Sequence, residues 1–250
     1  MIERVISGGQ TGADRAALDV AIELGIPHGG WIPKGRKTEK GRLPDEYHLL
    51  ETTSIDYAQR TELNIVDSDG TVIISYGALA EGSALTQELA RKHRRPCLHV
   101  DLKEMSESKA AEIINLWMDT RQIKILNVAG PRASSDPKIY EATRRVLKAV
   151  IELRLPHTIE EAVESLMTQL TLKDKTAIAN MKESESASLL LSLGVDIGRK
   201  FGLRSFNKRL LDSCRLLSGD EDIREGKASA LIARALWKRL RETHGLRAVK

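Results

Sequence analysis

Apolar positions change their rhythm once along this chain. Up to about residue 153, short β-branched or apolar runs alternate with amphipathic stretches of ten or more residues. The runs predict strands at 2–6, 71–76, 97–102 and 123–128, with a further short strand at 29–32. The amphipathic stretches predict helices at 13–24, 57–67, 83–93, 107–120 and 137–153, with Ile113, Leu116 and Trp117 forming one side of the fourth. Strands that read as continuous apolar runs between helices indicate a parallel sheet covered on both faces. With right-handed crossovers this gives an α/β, Rossmann-like, doubly wound architecture.

Beyond Leu155-Pro156 the strand signals stop. Thr158-x-x-Glu161 reads as a capping box in front of Val163, Leu166 and Met167. Helices are then expected at 171–181, 183–201, 206–218 and 227–244, with Gly202 and Gly219 as stops. The expected organisation is therefore a Rossmann-like domain over 1–155 and a small all-α domain over 156–250, with the boundary at Pro156.

Three glycine-bearing segments fall at the carboxyl ends of predicted strands, where ligands bind in doubly wound sheets. The first is Ser7-Gly8-Gly9-Gln10-Thr11-Gly12-Ala13-Asp14, which opens a helix. Glycine lets the backbone approach a ligand, and the free N–H groups of the helix favour an anion. The second, Gly77 to Thr86, brings Gly77, Glu81, Gly82, Ser83 and Thr86 to a helix start. The third, Ala129-Gly130-Pro131-Arg132, offers a guanidinium suited to phosphate or carboxylate. Each alone is also ordinary turn chemistry; together at one edge they form a candidate phosphate-binding site. A fourth segment, 31–44, carries five basic residues, Lys34 and Arg36 among them, and a single acid, Glu39. With two glycines and two prolines it reads as neither helix nor strand, and as a loop able to close over an anionic ligand.

Composition narrows the chemistry. The first glycine turn is neither a G-x-G-x-x-G fingerprint nor a Walker A loop, which removes hydride transfer and ATP hydrolysis from the expected roles. Two separated cysteines, Cys97 and Cys214, and histidines without metal spacing predict no metal site. The formal charge of +4 resides in the segment from residue 156 onward, chiefly in the last 27 residues, with eight basic residues against two acidic. Arg234, Lys238 and Arg241 share one face of the last helix, the pattern of a solvated face, while 4% aromatics argue against nucleic acid as a partner. No apolar run long enough to span a membrane and no leader pattern is seen, so the expected compartment is the cytoplasm.

Six motifs occur in order across the first domain: Ser-Gly-Gly-Gln-Thr-Gly-Ala-Asp (7–14), Gly-Gly-Trp-Ile-Pro-Lys-Gly-Arg (29–36), Tyr-x-x-Arg-Thr-Glu-x-Asn (57–64), Ser-Asp-Gly-Thr (68–71), Gly82-Ser83-x-x-Thr86 and Asn-Val-Ala-Gly-Pro-Arg (127–132). Together they resemble the molybdenum-cofactor carrier family, within the Rossmann-like group that holds the YpsA-like proteins and the lysine-decarboxylase-like "lonely guy" phosphoribohydrolases. The resemblance implies binding of the molybdenum cofactor (molybdopterin) or a nucleotide at these loops, and homo-oligomers. It adds Asn127 to the expected ligand-binding set of Gly8, Gly9, Gln10, Thr11, Gly12, Asp14, Lys34, Arg36, Gly77, Glu81, Gly82, Ser83, Thr86, Gly130 and Arg132. Where the related hydrolases carry a general-base glutamate, this chain has Thr86, which weighs toward holding a ligand rather than cleaving it. On this reading Gly9→Asp or Ser83→Glu abolishes ligand retention and spares the fold. The remaining readings are a nucleotide sensor signalling through the helical tail, and a hydrolase using Asp14, Glu81 or Asp101.

Overall fold

The computed structural model describes residues 2–182, 197–204 and 207–244. The chain divides into two compact units, Met1–Arg154 and Leu155–Lys250.

The first unit is built on a five-stranded parallel sheet of β1 (Arg4–Ile6), β2 (His28–Gly29), β7 (Gly70–Ser75), β8 (Cys97–Asp101) and β9 (Ile125–Ala129), in the order β2-β1-β9-β7-β8. Every residue of β7 is buried, as the apolar run Val72-Ile73-Ile74 requires of a strand covered on both faces. Helices α1 (Ala13–Glu23), α4 (Glu107–Arg121) and α5 (Ile139–Glu152) pack in a row; α2 (Tyr57–Val66) and α3 (Glu81–Lys92) pack together. In α5 the buried set Ile139, Ala142, Thr143, Val146, Leu147, Val150 and Ile151 follows helical spacing. The inward side of α4 differs from the expected one: it is Ala110, Ala111, Ile114 and Met118, while Leu116 is 70% exposed. Small residues at 110 and 111 let this face approach its neighbours, which turns Leu116 outward.

Numbered along the chain, the five strands lie in the order 2-1-5-3-4. If the last strand came first, the order would be 3-2-1-4-5, the order of a doubly wound dinucleotide-binding sheet. The sheet is thus a doubly wound sheet with its first strand moved to the end. The point where the winding reverses lies between β9 and β7, with β1 on the other side of β9.

The segment after β2 is more structured than the expected loop. It contains β3 (Trp31–Ile32) paired in parallel with β6 (Leu50–Glu51), and an antiparallel hairpin of β4 (Lys37–Thr38) and β5 (Gly41–Arg42) whose tip is Glu39-Lys40. The expected strand at 29–32 is therefore split between the main sheet and this small one. Ile32, Leu43, Tyr47 and Leu49 pack on Leu18 of α1, a separate apolar cluster that fixes the hairpin's base.

The second unit is helical, with α6 (Ile159–Gln169), α7 (Leu172–Ala179), α8 (Lys208–Ser218) and α9 (Glu225–His244); residues 197–200 are also helical. The greater part of the helix expected at 183–201 lies outside the described residues. The core gathers Val163, Leu166, Ile178, Ile197, Phe201, Leu210, Ile232, Leu236 and Leu240. Gly219 closes α8 in the left-handed conformation, as its position in the sequence implies. Cys214 is buried in this core, and burial pushes its thiol up to about 11; Cys97, packed by α2 and α3, is pushed up to the same value. Both behave as small apolar residues. No helix among the described residues is long and apolar enough to cross a membrane.

Candidate functional site

Close backbone contact brings the loops after β1 and β9 together. Ser7 Oγ donates to the Val128 carbonyl at 2.8 Å, tying the ends of the two strands. Gly12 has φ +76° and sits against the next loop so tightly that a Cβ would lie 2.3 Å from the Pro131 carbonyl oxygen. Ala13 N–H donates to that same oxygen at 3.2 Å. Gly130 is equally constrained, 2.4 Å from the Ile74 carbonyl of β7 by the same measure. Glycine at 12 and 130 is thus needed to bring three backbone segments into one wall at the carboxyl edge of β1, β9 and β7.

The helices leaving these three central strands share a property. The N-termini of α1, α3 and α5, preceded by Gly12, Ala80 and Lys138, have no side-chain cap. By contrast Asp56, Ser106, Thr158, Thr171 and Asn207 cap α2, α4, α6, α7 and α8 with side-chain oxygens. Even α4, which follows the edge strand β8, is capped. At α5, however, Asp136 accepts the Lys138 N–H with its carboxylate and the Ile139 N–H with its carbonyl, so it is the starts of α1 and α3 that keep backbone N–H groups and the positive end of the helix dipole without a side-chain acceptor, a setting that favours an anion.

Charged side chains surround this wall. Arg60 of α2 reaches across Gly8, where a Cβ would collide with its guanidinium, and its Nη1 donates to Asp14 Oδ2 at 3.0 Å. Arg60 Nε is buried with no partner. Burial pushes the Asp14 carboxyl above its ordinary value, against the pull of Arg60 and, more weakly, of Arg132. Arg132 itself is exposed and lies over the Tyr57 ring at 4.8 Å. This leaves a guanidinium stacked on an aromatic at the mouth of the cradle.

The tip of the β4–β5 hairpin reaches the same wall. Gln10 Oε1 accepts from the N–H groups of Thr11 (3.0 Å) and Glu39 (2.9 Å). The Glu39 carboxylate accepts from Thr11 Oγ1, from Ser134 Oγ and, at 3.3 Å, from Ser134 N–H. Thr11 Oγ1 also accepts from Ala133 N–H at 3.2 Å. Although what burial Glu39 has works the other way, these hydrogen bonds hold its carboxyl below the usual value.

The comparisons fit this geometry. The model of a family described as the circularly permutated YpsA SLOG family matches residues 5–151, the stretch that carries the permuted sheet and its loops. The chain belongs to that family. Residues 155–240 match a second family model, a domain of unknown function numbered 6794. Among solved structures, the crystal structure of a "Putative molybdenum carrier protein" from Syntrophus aciditrophicus SB is 55% identical, with a TM-score of 0.59. The match covers 60% of this chain and 94% of that one. No curated protein matches.

In this circularly permutated YpsA unit the expected site residues fall into three groups. Gly8, Gly9, Gln10, Thr11, Gly12, Asp14, Gly130 and Arg132 come together at the wall. Gly77, Gly82, Ser83 and Thr86 belong to the loop and helix start after β7. There Gly77 has φ +83°, its N–H donates to Asp101 Oδ1 at 2.7 Å, and its carbonyl accepts from Ser75 Oγ, which also contacts His99 Nε2 at 2.8 Å. Gly82 is exposed with open space around it, Ser83 is buried, and Thr86 Oγ1 donates to the Gly82 carbonyl. Glu81 begins α3, and its side chain lies outside the described residues.

The third group has other work. Arg36 was expected to supply charge to the ligand, but its buried guanidinium donates to the carbonyls of Leu43, Pro44, Tyr47 and Leu49, and so braces the hairpin base. Asn127 is buried within the sheet and donates from Nδ2 to Thr71 Oγ1 at 3.0 Å, joining β9 to β7. Lys34 is exposed, and its N–H is bonded to the Ser54 carbonyl. Of the acids considered for catalysis, Asp14 is paired with Arg60, and Asp101 accepts from the N–H groups of Lys103 and Gly77, which hold its carboxyl below the usual range. The wall also contains residues not expected there: Arg60, Tyr57, Glu39 and Ser134. Tyr57 and Arg60 stood in the 57–64 motif, where one helical turn between them was the available signal. Nothing in the sequence pointed Glu39 at Thr11.

Proposed function

We propose that the α/β unit binds a phosphorylated small molecule at the carboxyl edge of β1, β9 and β7, and holds it without turnover. The N-termini of α1 and α3, which follow β1 and β7 and lack the side-chain caps that α2 and α4 carry, support this reading most strongly. In this reading the turn from Gly8 to Gly12 and the start of α1 take one oxyanion. Gly82 and Ser83 offer a second donor set, and Arg132 supplies charge. A phosphorylated pterin such as the molybdenum cofactor is the favoured cargo, because the 55% identical relative is named a molybdenum carrier; a nucleotide is the alternative. The family resemblance also carries the expectation of a homo-oligomer, which light scattering on the purified protein measures.

Gly82→Asp gives the test with least interference. Position 82 has open space for a side chain, and an acid in the first turn of α3 favours the helix while repelling an anion. Titration calorimetry with adenosine monophosphate as probe should show binding to the native chain and at least about a hundredfold loss in Gly82→Asp, with no fall in melting temperature. Equal binding by both would remove the loop after β7 from the site. Gly9→Asp is a poorer test than the sequence suggests, since a Cβ there lies 2.8 Å from Leu43 and would disturb the hairpin base as well. Free base released from nucleoside monophosphates would instead favour the hydrolase reading.

A second reading follows from coverage. The solved relative is matched over 94% of its length by 60% of this chain, so the helical unit is an addition to the binding unit. This favours a sensor in which the added unit meets a partner, and a partner captured only when ligand is present would support it.

A further inference from the structure

Glu39 is the single acid in a segment of five cations, and its carboxylate occupies a set of donors built for an oxyanion. Two hydroxyls, Thr11 Oγ1 and Ser134 Oγ, and the Ser134 N–H all donate to it. Thr11 sits in the glycine turn, two residues before Ala13, the first residue of α1, and Ser134 lies two residues after Arg132 in the loop after β9. These donors come from the two loops that Gly12 and Gly130 hold together. A carboxylate has two oxygens and one charge, whereas a phosphate monoester presents three oxygens and up to two charges to the same donors.

The carrier of this carboxylate is suited to moving. Glu39 is at the two-residue tip of a hairpin with only two paired residues on each side. The tip is exposed, and the hydrogen bonds described for its own groups to the wall are those of the Glu39 carboxylate and N–H. The base, in contrast, is fixed by the four carbonyl bonds of Arg36 and by Leu43 in its apolar cluster. The base is thus braced, while the tip is bonded to the wall through one residue.

We propose that Glu39 is an internal placeholder in an oxyanion seat formed by Thr11 and Ser134, and that the terminal phosphate of the ligand binds by displacing it. This rests on the reading that the edge of β1, β9 and β7 takes a phosphorylated ligand. The placeholder is a tethered competitor, so it lowers the apparent affinity for weak anions and leaves the seat to a group of higher charge. It also keeps the donors satisfied while the site is empty.

The test uses the full chain with two probes, inorganic phosphate and adenosine monophosphate, titrated into native protein, Glu39→Gln, and Glu39→Gln combined with Ser134→Ala or with Thr11→Val. Displacement predicts about a tenfold gain in affinity for both probes in Glu39→Gln, and loss of that gain in both double variants. Glu46→Gln, which removes an exposed acid just beyond that segment, should not reproduce the gain. In the native chain, hydrogen exchange at 37–42 should rise when phosphate is added. If Glu39→Gln binds adenosine monophosphate as the native protein does, or more weakly, the placeholder is refuted while the site reading stands. If neither probe binds any variant, both fail.

Discussion

The two units bury very different things. Among the described residues the α/β unit buries sixteen polar or charged residues, from Ser7 to Thr143, whereas the helical unit buries two, Asn207 and Ser229. The helical unit is a plain apolar core: Asn207 caps α8 and ties down the Pro156 and Phe201 carbonyls, and Trp237 donates to the Met181 carbonyl. The α/β unit spends its buried polar groups on holding loops, through Ser7, Gln10, Asp14, Arg36 and Asn64. Asn64 donates to the Trp31 carbonyl and accepts from its N–H, doing for one residue what a neighbouring strand would do. Buried polar groups are tolerated only when paired, so such a density marks a surface whose shape matters beyond stability. Capping sets part of the α/β unit apart: side chains cap α2, α4, α6, α7 and α8, whereas α1 and α3, which follow β1 and β7, have no side-chain cap.

Substitutions at matched glycines test this contrast most strongly. Gly12→Ala forces a side chain onto a residue at φ +76° and against the Pro131 carbonyl, and should cost about 3 kcal/mol in a denaturant titration. Next is Arg36→Met, which leaves four carbonyls without their donor. It should cost about 2–3 kcal/mol and raise hydrogen exchange across 36–49, with α9 of the helical unit unaffected.

Asp14 gives a smaller effect that depends on pH. Its folded value is raised above the ordinary 3.8 because burial outweighs Arg60 and Arg132. The folded state therefore keeps a proton that the unfolded chain has already released, and this group's contribution to stability is lost as pH rises through that window. Asp14→Asn removes the term, so its stability relative to the native chain should increase as pH rises from about 4 and then level off. A flat difference between pH 3 and 8 would contradict the raised value. Smallest is Gly226→Ala in α9, where a side chain meets open space; it should stabilise by about 0.5 kcal/mol. Removing residues 156–250 should change adenosine monophosphate affinity by less than about twofold, because the family model that covers the site ends at residue 151 and 60% of this chain matches 94% of the solved relative. A larger loss would make the helical unit part of the pocket.

Much of the layered α/β fold was legible because its elements are long enough to carry a period. β7 reads as Thr-Val-Ile-Ile-Ser, α5 repeats its apolar positions at helical spacing, and the glycine turns fall where strands end. The strand order was not legible, since periodicity says which residues form strands and nothing about which strand lies beside which. The two-residue ladders of β3 to β6 are too short for any period, so a braced hairpin read as a loop. Within the site, residues bound to their own neighbourhood were visible, and those defined by a distant contact were not. Arg36 reads as free charge because its partners are carbonyl oxygens, which leave no mark in a sequence. Glu39 meets Ser134 across 95 positions. In α9 the basic stripe hid a contact of a similar kind, with Arg241 lying over the Trp237 ring at 4.9 Å.

Native mass spectrometry of the full chain purified from its source addresses the central claim directly. The native protein should carry an additional mass that contains phosphate and is released on denaturation, and Gly82→Asp, prepared alongside and equally stable, should lack it. A native chain that flies at its bare mass, or a Gly82→Asp variant that retains the same adduct, would contradict a phosphorylated ligand held at this edge of the sheet.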